Sequence, residues 1–173
     1  MTASAINTKI VKATKDDVPE LLNLIIELAV YEKEEKSVVA TPELMVKNIF
    51  ENGYAECLIA RTITEDGSKG IAVGLALYFF TYSTWLGAPG LYLEDLYVKP
   101  EYRNQGLGKR FFGELGQIAK DRGCQRVEWR VLKWNKPSIA FYTECLKAEN
   151  LSEWDTMRIE GQEGFERLIG FRK

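Results

Sequence analysis

The segment from Leu91 to Lys109 constrains the fold of this chain more than any other. It begins as an apolar run, passes through Pro100, and continues as the pattern Arg103-x-x-Gly106-x-Gly108 before a helical repeat. A strand followed by a glycine turn at a helix N-terminus directs backbone N–H groups towards a phosphate. Glu94 and Asp95 lie in the strand just before this turn. The segment therefore predicts an anion-binding turn joined to a strand that carries carboxylates.

Residue periodicity predicts three strands and two helices before this segment. The strands cover residues 6–13, 55–62 and 70–82, and the last is apolar on both faces, which is typical of a central strand. The helices begin at the capping pattern Thr14-x-x-Asp17 and at Thr41-Pro42, and they end near Tyr31 and at Asn52-Gly53. The glycines and proline of residues 83–90 predict a turn.

The same periodicity predicts the elements that follow the segment. A helix ends at Arg122-Gly123, a strand covers residues 125–132, and a second helix begins at Asn135-x-Pro137-Ser138. Residues 154–160 and 165–171 are predicted as two strands of a closing hairpin with its turn at residues 161–164. The order β-α-α-β-β-β-α-β-α-β-β predicts the α/β class (an α+β mixed sheet), with helices on both faces of a twisted sheet in one domain over residues 1–173.

Composition argues against several classes of function. The 23 basic and 25 acidic residues give a net charge of -2, which leaves no electrostatic footprint for nucleic acid. No apolar run approaches the roughly 18 residues of a membrane span, and the first residues lack the apolar run of a signal peptide. The three cysteines form no C-x-x-C pair. We therefore expect a cytoplasmic protein that binds neither nucleic acid nor a membrane.

The chain contains no histidine, which restricts any catalysis it performs. Ser-His-Asp and Cys-His catalysis and every His-ligated metal site are excluded, and we expect no metal. Acid–base groups would have to be carboxylates, tyrosines, cysteines, lysines, termini or water. The charged residues 31–36 are either a solvated helix end, which composition favours, or an acidic lip that receives a cation.

The glycine turn resembles a family signature. With its strand–turn–helix context and the downstream Asn135-x-Pro137 helix start, Arg103-x-x-Gly106-x-Gly108 is similar to the GCN5-related N-acetyltransferase (GNAT) superfamily. Further segments resemble the diamine acetyltransferase family, which includes spermidine/spermine and thialysine N-acetyltransferases. These segments begin at Glu27, Tyr78, Leu91 and Trp134, and the resemblance extends over nearly the whole chain.

The resemblance implies an acetyl-CoA-dependent N-acetyltransferase with the GNAT fold and a role for each matching position. Glu94 is the implied base and Tyr142 the implied acid, and a small polycation or lysine-like amine is the implied substrate. The implied cofactor-binding positions are Leu96, Tyr97, Val98, Arg103, Asn104, Gln105, Gly106, Leu107, Gly108, Lys109, Asn135, Lys136, Pro137, Ser138 and Tyr142. The implied substrate-binding positions are Tyr31, Glu32, Glu94, Glu128, Trp129, Arg130 and Glu153, and the family implies a homodimer.

The chain departs from the family after Tyr142. Where the family usually has a basic pair and a glycine, it has Thr143-Glu144-Cys145-Leu146-Lys147, so the position of Glu153 is only loosely aligned. The charges of Glu128 and Arg130 are also not required by the family and could alter amine preference.

The residues themselves leave several roles open. Glu94 is either a base, acting directly or through water, or a surface carboxylate, and Asp95 is as well suited to a structural role as to substrate binding. Tyr142 is either an acid or a core aromatic residue, and Arg103 either contacts a phosphate or pairs with a carboxylate. Cys145 is best interpreted as structural. A protein N-acetyltransferase and a non-catalytic acetyl-CoA-binding module are the alternative functions.

Overall fold

The computed structural model describes residues 7–172, so Ile6, the predicted start of the first strand, lies outside the described residues. The described chain forms two compact units, one ending at Arg130 and the other beginning at Val131. The single domain expected over residues 1–173 stays a prediction. No helix among the described residues has the length and apolar content needed to cross a membrane.

The N-terminal unit is built on one five-stranded sheet. Its strands follow chain order, β1-β2-β3-β4-β5, and every neighbouring pair is antiparallel except β4 and β5, which are parallel. The mixed sheet predicted from the sequence is therefore confirmed, with β3 at its centre. The elements are β1 (Thr8–Lys12), α1 (Val18–Glu32), α2 (Pro42–Met45), β2 (Glu56–Thr62), β3 (Ala72–Ser83), β4 (Ala88–Val98), α3 (Leu107–Asp121) and β5 (Val127–Trp129).

Helices cover both faces of this sheet, as predicted. Leu21, Leu24 and Leu28 of α1 pack with Ile59 and Leu75 of the sheet in one core. A second core forms on the opposite face, where α3 packs against the alternate residues of β2, β3 and β4; its members include Leu107, Phe111, Leu115, Val73, Tyr78, Leu91 and Leu93. Burying apolar residues on both faces accounts for the continuous apolar run of β3.

The predicted capping residues start their helices. The Asp17 carboxylate accepts hydrogen bonds from the backbone N–H and the hydroxyl of Thr14, at 2.8 and 3.0 Å. The Thr41 hydroxyl accepts a bond from the Leu44 N–H at 3.3 Å, with Pro42 at the first helical position. The helix of α2 then continues as a π-helical turn over Val46–Glu51.

Asp17 also belongs to a buried ion-pair network. Arg61, only 3% exposed, donates to the Asp17 carboxylate at 2.6 Å and to both carboxylate oxygens of Glu20. Lys69 adds a contact to Asp17 at 2.9 Å. Burial raises the pKa of Asp17, but hydrogen bonds from Lys69, Thr14 and Arg61 outweigh it and hold the pKa well below its usual range.

The C-terminal unit is helical. It contains α4 (Lys136–Ala140), which continues as a π-helical turn over Phe141–Cys145, and α5 (Gly161–Ile169). The helix start predicted at Asn135 is confirmed, because the Asn135 side chain accepts a hydrogen bond from the Ser138 N–H at 3.4 Å.

The predicted closing hairpin is wrong. Residues 154–160, predicted as the first strand, form no strand, and most of the segment predicted as the turn and second strand is the helix α5. Phe165, Leu168 and Ile169 recur at helical spacing, and Arg167 pairs with Glu163 one turn earlier, at 3.3 Å. The two glycines were interpreted as a turn, whereas Gly161 starts the helix in the left-handed region with φ 75°.

Two predicted strand limits also change. β4 begins at Ala88 rather than after Gly90. Proline has no N–H to donate to a neighbouring strand, and this is tolerated near the start of a strand. The Pro89 carbonyl accepts a hydrogen bond from the Gln125 N–H at 2.9 Å. β5 is limited to Val127–Trp129, within the predicted 125–132, because its parallel partner residues in β4 end at Leu93.

Candidate functional site

A β-bulge in β4 organises the candidate site. Leu93 faces Tyr78 on β3 and Asp95 faces Leu77, so Glu94 lies between them without a partner on β3. A bulge of this kind bends the strand and redirects its side chains. Glu94 is exposed and Asp95 is half-buried. Side-chain alternation would place Glu94 and Asp95 on opposite faces of a regular strand, but the strand is not regular here.

The bulge also separates β4 from β5. Parallel pairing joins Leu91–Leu93 to β5 and stops there, so among the described residues β4 beyond Leu93 is paired as a strand with β3 alone. The stretch that follows contains Leu96, Tyr97 and Val98, three predicted cofactor-binding positions. A strand with one unpaired side can accept an extended ligand through its backbone groups.

The glycine turn lies between the end of β4 and α3. Gly106 is the N-terminal cap of α3, with φ 82°, and it offers no side chain to the free N–H groups of the first turn. Leu107 is buried and anchors the helix start, whereas Asn104, Gln105 and Lys109 are exposed. Asn104 adopts a left-handed φ of 60°, which is uncommon without a glycine. The turn therefore presents uncapped N–H groups in a strained loop.

Three carboxylates gather near the bulge. Burial, and then the charges of Glu94 and Glu32, raise the pKa of Asp95 to about 6. Burial, and then the charge of Glu34, raise the pKa of Glu32. Glu32 is the last residue of α1, so this acidic group joins the end of α1 to the bulge of β4. Its net negative charge suits a cation.

Tyr92 connects several predicted substrate-binding residues. It faces Glu128 across β4 and β5, and the Arg130 guanidinium lies over its ring, 5.8 Å from the centroid. Burial raises the pKa of Tyr92, and the negative charges of Glu94 and Glu128 raise it further. Glu128 additionally pairs with Arg126 at 2.7 Å. Tyr92 was missed in the sequence, although its position two residues before Glu94 in an apolar strand was a usable signal.

Trp129 is oriented differently from Glu128. Its ring packs edge-on against Phe112 of α3, with centroids 4.9 Å apart, as part of the core on the α3 face. The alternation of side chains along β5 accounts for this, because Val127, two residues before Trp129, packs against the same core. The geometry favours a packing role for Trp129.

Arg103 contacts two aromatic rings. Its guanidinium lies 4.9 Å from the Tyr31 centroid and 5.5 Å from the Tyr97 centroid. Its Nε donates to the Val98 carbonyl at 2.8 Å. The two contacts expected from the sequence, with a phosphate or with a carboxylate, stay predictions; the guanidinium lies beside Tyr31.

The remaining predicted positions belong to the C-terminal unit. Asn135 caps α4, and Lys136, Pro137 and Ser138 form its first turn. Tyr142 lies in the π-helical turn that follows, where its ring is 5.5 Å from that of Phe141. Glu153 is exposed, and the roles of all these residues stay predictions.

The sequence matches known proteins over most of its length. Residues 20–146 match the acetyltransferase (GNAT) family. The chain is 39% identical over 157 residues to thialysine N-epsilon-acetyltransferase of Sus scrofa, covering 87% of this chain and 91% of that protein. It is 34% identical over 159 residues to spermidine/spermine N(1)-acetyltransferase-like protein 1 of Homo sapiens, covering 87% of this chain and 22% of that protein.

A solved structure shares the fold. The integron cassette protein from the mobile metagenome of V. cholerae superposes with a TM-score of 0.74 at 24% identity, covering 94% of this chain and 98% of that chain. At this identity the likeness bears on the fold alone.

Proposed function

The chain belongs to the acetyltransferase (GNAT) family and is an acyltransferase, and from this premise we propose that it acetylates a primary amine of a small cationic substrate, using acetyl-CoA. The observation that carries the proposal is the acidic group of Glu32, Glu94 and Asp95 beside the half-paired strand β4. Curated relatives named thialysine N-epsilon-acetyltransferases support a lysine-like amine, and polyamines are the next class we propose.

The N-terminal unit has features that suit acetyl-CoA. The uncapped N–H groups at the start of α3 would hold its pyrophosphate, because a helix N-terminus favours an anion. The free side of β4 at Leu96, Tyr97 and Val98 would pair with the amides of its pantetheine arm. When bound, acetyl-CoA supplies the acetyl group as a thioester.

The acidic group would bind and deprotonate the amine. An alkylammonium group has a pKa near the lysine value of about 10.4, so it is protonated at pH 7 and attracted to Glu32, Glu94 and Asp95. Because the chain has no histidine, we assign proton removal to Glu94, acting directly or through water. Glu94 is exposed at the bulge and can therefore reach a bound ligand. We assign proton donation to the departing thiolate to Tyr142, by resemblance to the family.

We also propose that the protein forms a homodimer. The C-terminal unit exposes large apolar side chains that a subunit contact would cover, with Trp154 at 67%, Met157 at 89% and Phe171 at 82% exposure. Light scattering after size exclusion should give twice the chain mass of 19.7 kDa. A monomer mass at micromolar concentration would reject this assignment. The cytoplasmic location expected from the sequence stays a prediction.

A substrate panel tests the activity. The protein is incubated with acetyl-CoA and thialysine, lysine, spermidine, putrescine or a lysine-containing peptide, and CoA release is followed; we expect turnover with at least one of the four small amines. Release only with a peptide amine would support a protein N-acetyltransferase instead. Binding of CoA without turnover on any amine would support a non-catalytic module.

Two variants test the assigned roles. Glu94→Gln and Tyr142→Phe should lower kcat by about 100- to 10,000-fold, the range of lost acid–base catalysis, with CoA affinity unchanged. Glu114→Gln on α3 and Tyr54→Phe, both at exposed positions, are matched controls and should keep full activity. Unchanged kcat in Glu94→Gln would remove Glu94 from the mechanism.

A further inference from the structure

Arg103 joins the glycine turn to the end of α1. It is the residue just before left-handed Asn104, and its guanidinium lies over Tyr31 in the last turn of α1 and over Tyr97 of β4. The Nε of the same guanidinium donates a hydrogen bond to the Val98 carbonyl, which holds the group at the end of β4. A guanidinium within about 6 Å of two tyrosine ring centroids makes favourable cation–π contacts with both rings. The side chain therefore spans three elements.

A second set of contacts supports the same junction. Glu27, four residues before Tyr31 on α1, pairs with Lys99 at 3.0 Å, and its negative charge adds to burial in raising the pKa of Tyr97. Glu27 and Tyr31 thus lie on one side of the helix and both reach the end of β4. Tyr97 is 6% exposed, so the contact of its ring with Arg103 lies in a partly dry environment, where such a contact is stronger. The end of α1 is held at two points.

We propose that Arg103 is a positioning residue that couples binding of the amine to binding of the cofactor. The proposal rests on the proposed function, in which the glycine turn holds the pyrophosphate and Glu32 attracts the amine, and on the substrate-binding position that the family resemblance implies for Tyr31. A ligand that orders the turn fixes Arg103, and Arg103 fixes Tyr31 next to Glu32. Thermodynamic linkage makes the effect reciprocal. The factor by which a bound cofactor raises the affinity for the amine is also the factor by which a bound amine raises the affinity for the cofactor.

The alternative is a direct contact of the Arg103 fork with the pyrophosphate. In that case the loss of Arg103 would weaken cofactor binding equally with and without the amine. Coupling through Tyr31 instead predicts a loss confined to the ternary complex. The ratio of the CoA Kd without amine to the CoA Kd with amine therefore distinguishes the two roles.

Calorimetry with CoA tests the proposal, because CoA carries no acetyl group and cannot react. The Kd of CoA is measured alone and with saturating thialysine, or with the best amine of the substrate panel. In the wild type we expect the amine to tighten CoA binding about threefold to tenfold, the factor that a cation–π contact can supply. Arg103→Gln and Tyr31→Leu should each reduce this ratio to about one.

Three further variants keep the result interpretable. Tyr31→Phe keeps the ring and should keep the ratio, whereas the double variant Arg103→Gln/Tyr31→Leu should lose no more than either single variant. Arg103→Lys keeps the charge but not the planar fork and should fall between wild type and Arg103→Gln. If circular dichroism shows that Arg103→Gln is unstable, the ratios of CoA Kd values for Arg103→Lys and Tyr31→Leu decide whether the coupling exists.

The failures are distinguishable. A protein that binds no CoA and acetylates no amine contradicts the proposed function itself. A protein that turns over amine, but whose Tyr31→Leu variant keeps the wild-type ratio, contradicts only the coupling role. If Arg103→Gln lowers the affinity for CoA equally with and without the amine, Arg103 contacts the pyrophosphate directly.

Discussion

Glu94 and Asp95 are consecutive in β4, yet only Asp95 faces a residue of β3, namely Leu77. The bulge leaves Glu94 exposed and Asp95 half-buried, so two adjacent carboxylates occupy different environments. Burial raises the pKa of Asp95 to about 6, with further contributions from Glu94 and Glu32. Adjacent carboxyl groups whose environments differ are suited to different protonation states at one pH.

We expect Asp95→Asn to stabilise the protein above pH 6. The folded-state pKa of about 6 exceeds the ordinary value of 3.8, so the stability linked to Asp95 is complete below about pH 4 and is lost as pH rises through 6. The amide has no charge to desolvate and should gain about 1–3 kcal/mol over wild type at pH 8. Urea unfolding at intervals from pH 4 to pH 8 measures the difference.

The exposed Asp155 offers the matched control. Asp155→Asn should change the free energy of unfolding by less than about 0.5 kcal/mol at every pH. An Asp95→Asn protein that is less stable than wild type at pH 8 would mean that the Asp95 carboxylate is held by favourable contacts.

Gly106→Ala should weaken the proposed pyrophosphate site. An added Cβ meets no atom within 4 Å, so the cost arises from the left-handed φ of 82°. We expect a loss of stability of about 1 kcal/mol and a several-fold rise in the KM for acetyl-CoA, because the N–H groups of the turn shift. Thermal unfolding and initial rates check the two effects.

A glycine in the same helix provides the comparison. Gly113 is exposed, has no positive φ, and has open space where an alanine methyl group would lie. Gly113→Ala should stabilise α3 by about 0.5–1 kcal/mol and leave the KM for acetyl-CoA unchanged. Equal KM values for the two variants would contradict a role for the turn geometry in cofactor binding.

Local signals predicted the sheet and the helix starts. The two-sided apolar run of β3 identified the central strand, and Thr14, Thr41 and Asn135 marked three helix starts correctly. These features depend on neighbouring residues in the sequence, which is why one chain was enough to find them.

The bulge was not predicted, because a bulge depends on the register between two strands. Its signal was nevertheless present. Leu91 and Leu93 face the α3 core, and so do Leu96 and Val98, so the apolar positions change from odd to even numbers across Glu94. One extra residue in the strand accounts for that change of phase. The contacts of Arg103 with Tyr31 and Tyr97 join separate parts of the chain and left no local signal.

Proline substitutions distinguish α5 from the hairpin predicted in its place. Glu166 lies in the middle of α5, where proline removes a hydrogen bond and clashes with the preceding turn, at a cost of about 3 kcal/mol. Gln162 lies in the first turn, where proline is tolerated. Glu166→Pro should therefore lower the far-ultraviolet helix signal and the amide protection of residues 165–169, and Gln162→Pro should not. Equal protection in both variants would contradict the helix.

We expect Asp17→Asn to destabilise the protein, because it leaves the buried Arg61 with Glu20 as its remaining carboxylate partner. The cost should be about 2–4 kcal/mol at pH 7, somewhat below that of breaking an isolated buried pair. Since the pKa of Asp17 is lowered in the fold, its stabilising effect is complete above about pH 4 and is lost as pH falls further, so wild type and variant should converge towards pH 2. Urea unfolding from pH 2 to 7 measures the difference in the free energy of unfolding between wild type and variant.

Glu51→Gln is the control, because it breaks a half-exposed pair with Lys15 and should cost less than about 1 kcal/mol. An equal cost for Asp17→Asn and Glu51→Gln would contradict the argument from burial.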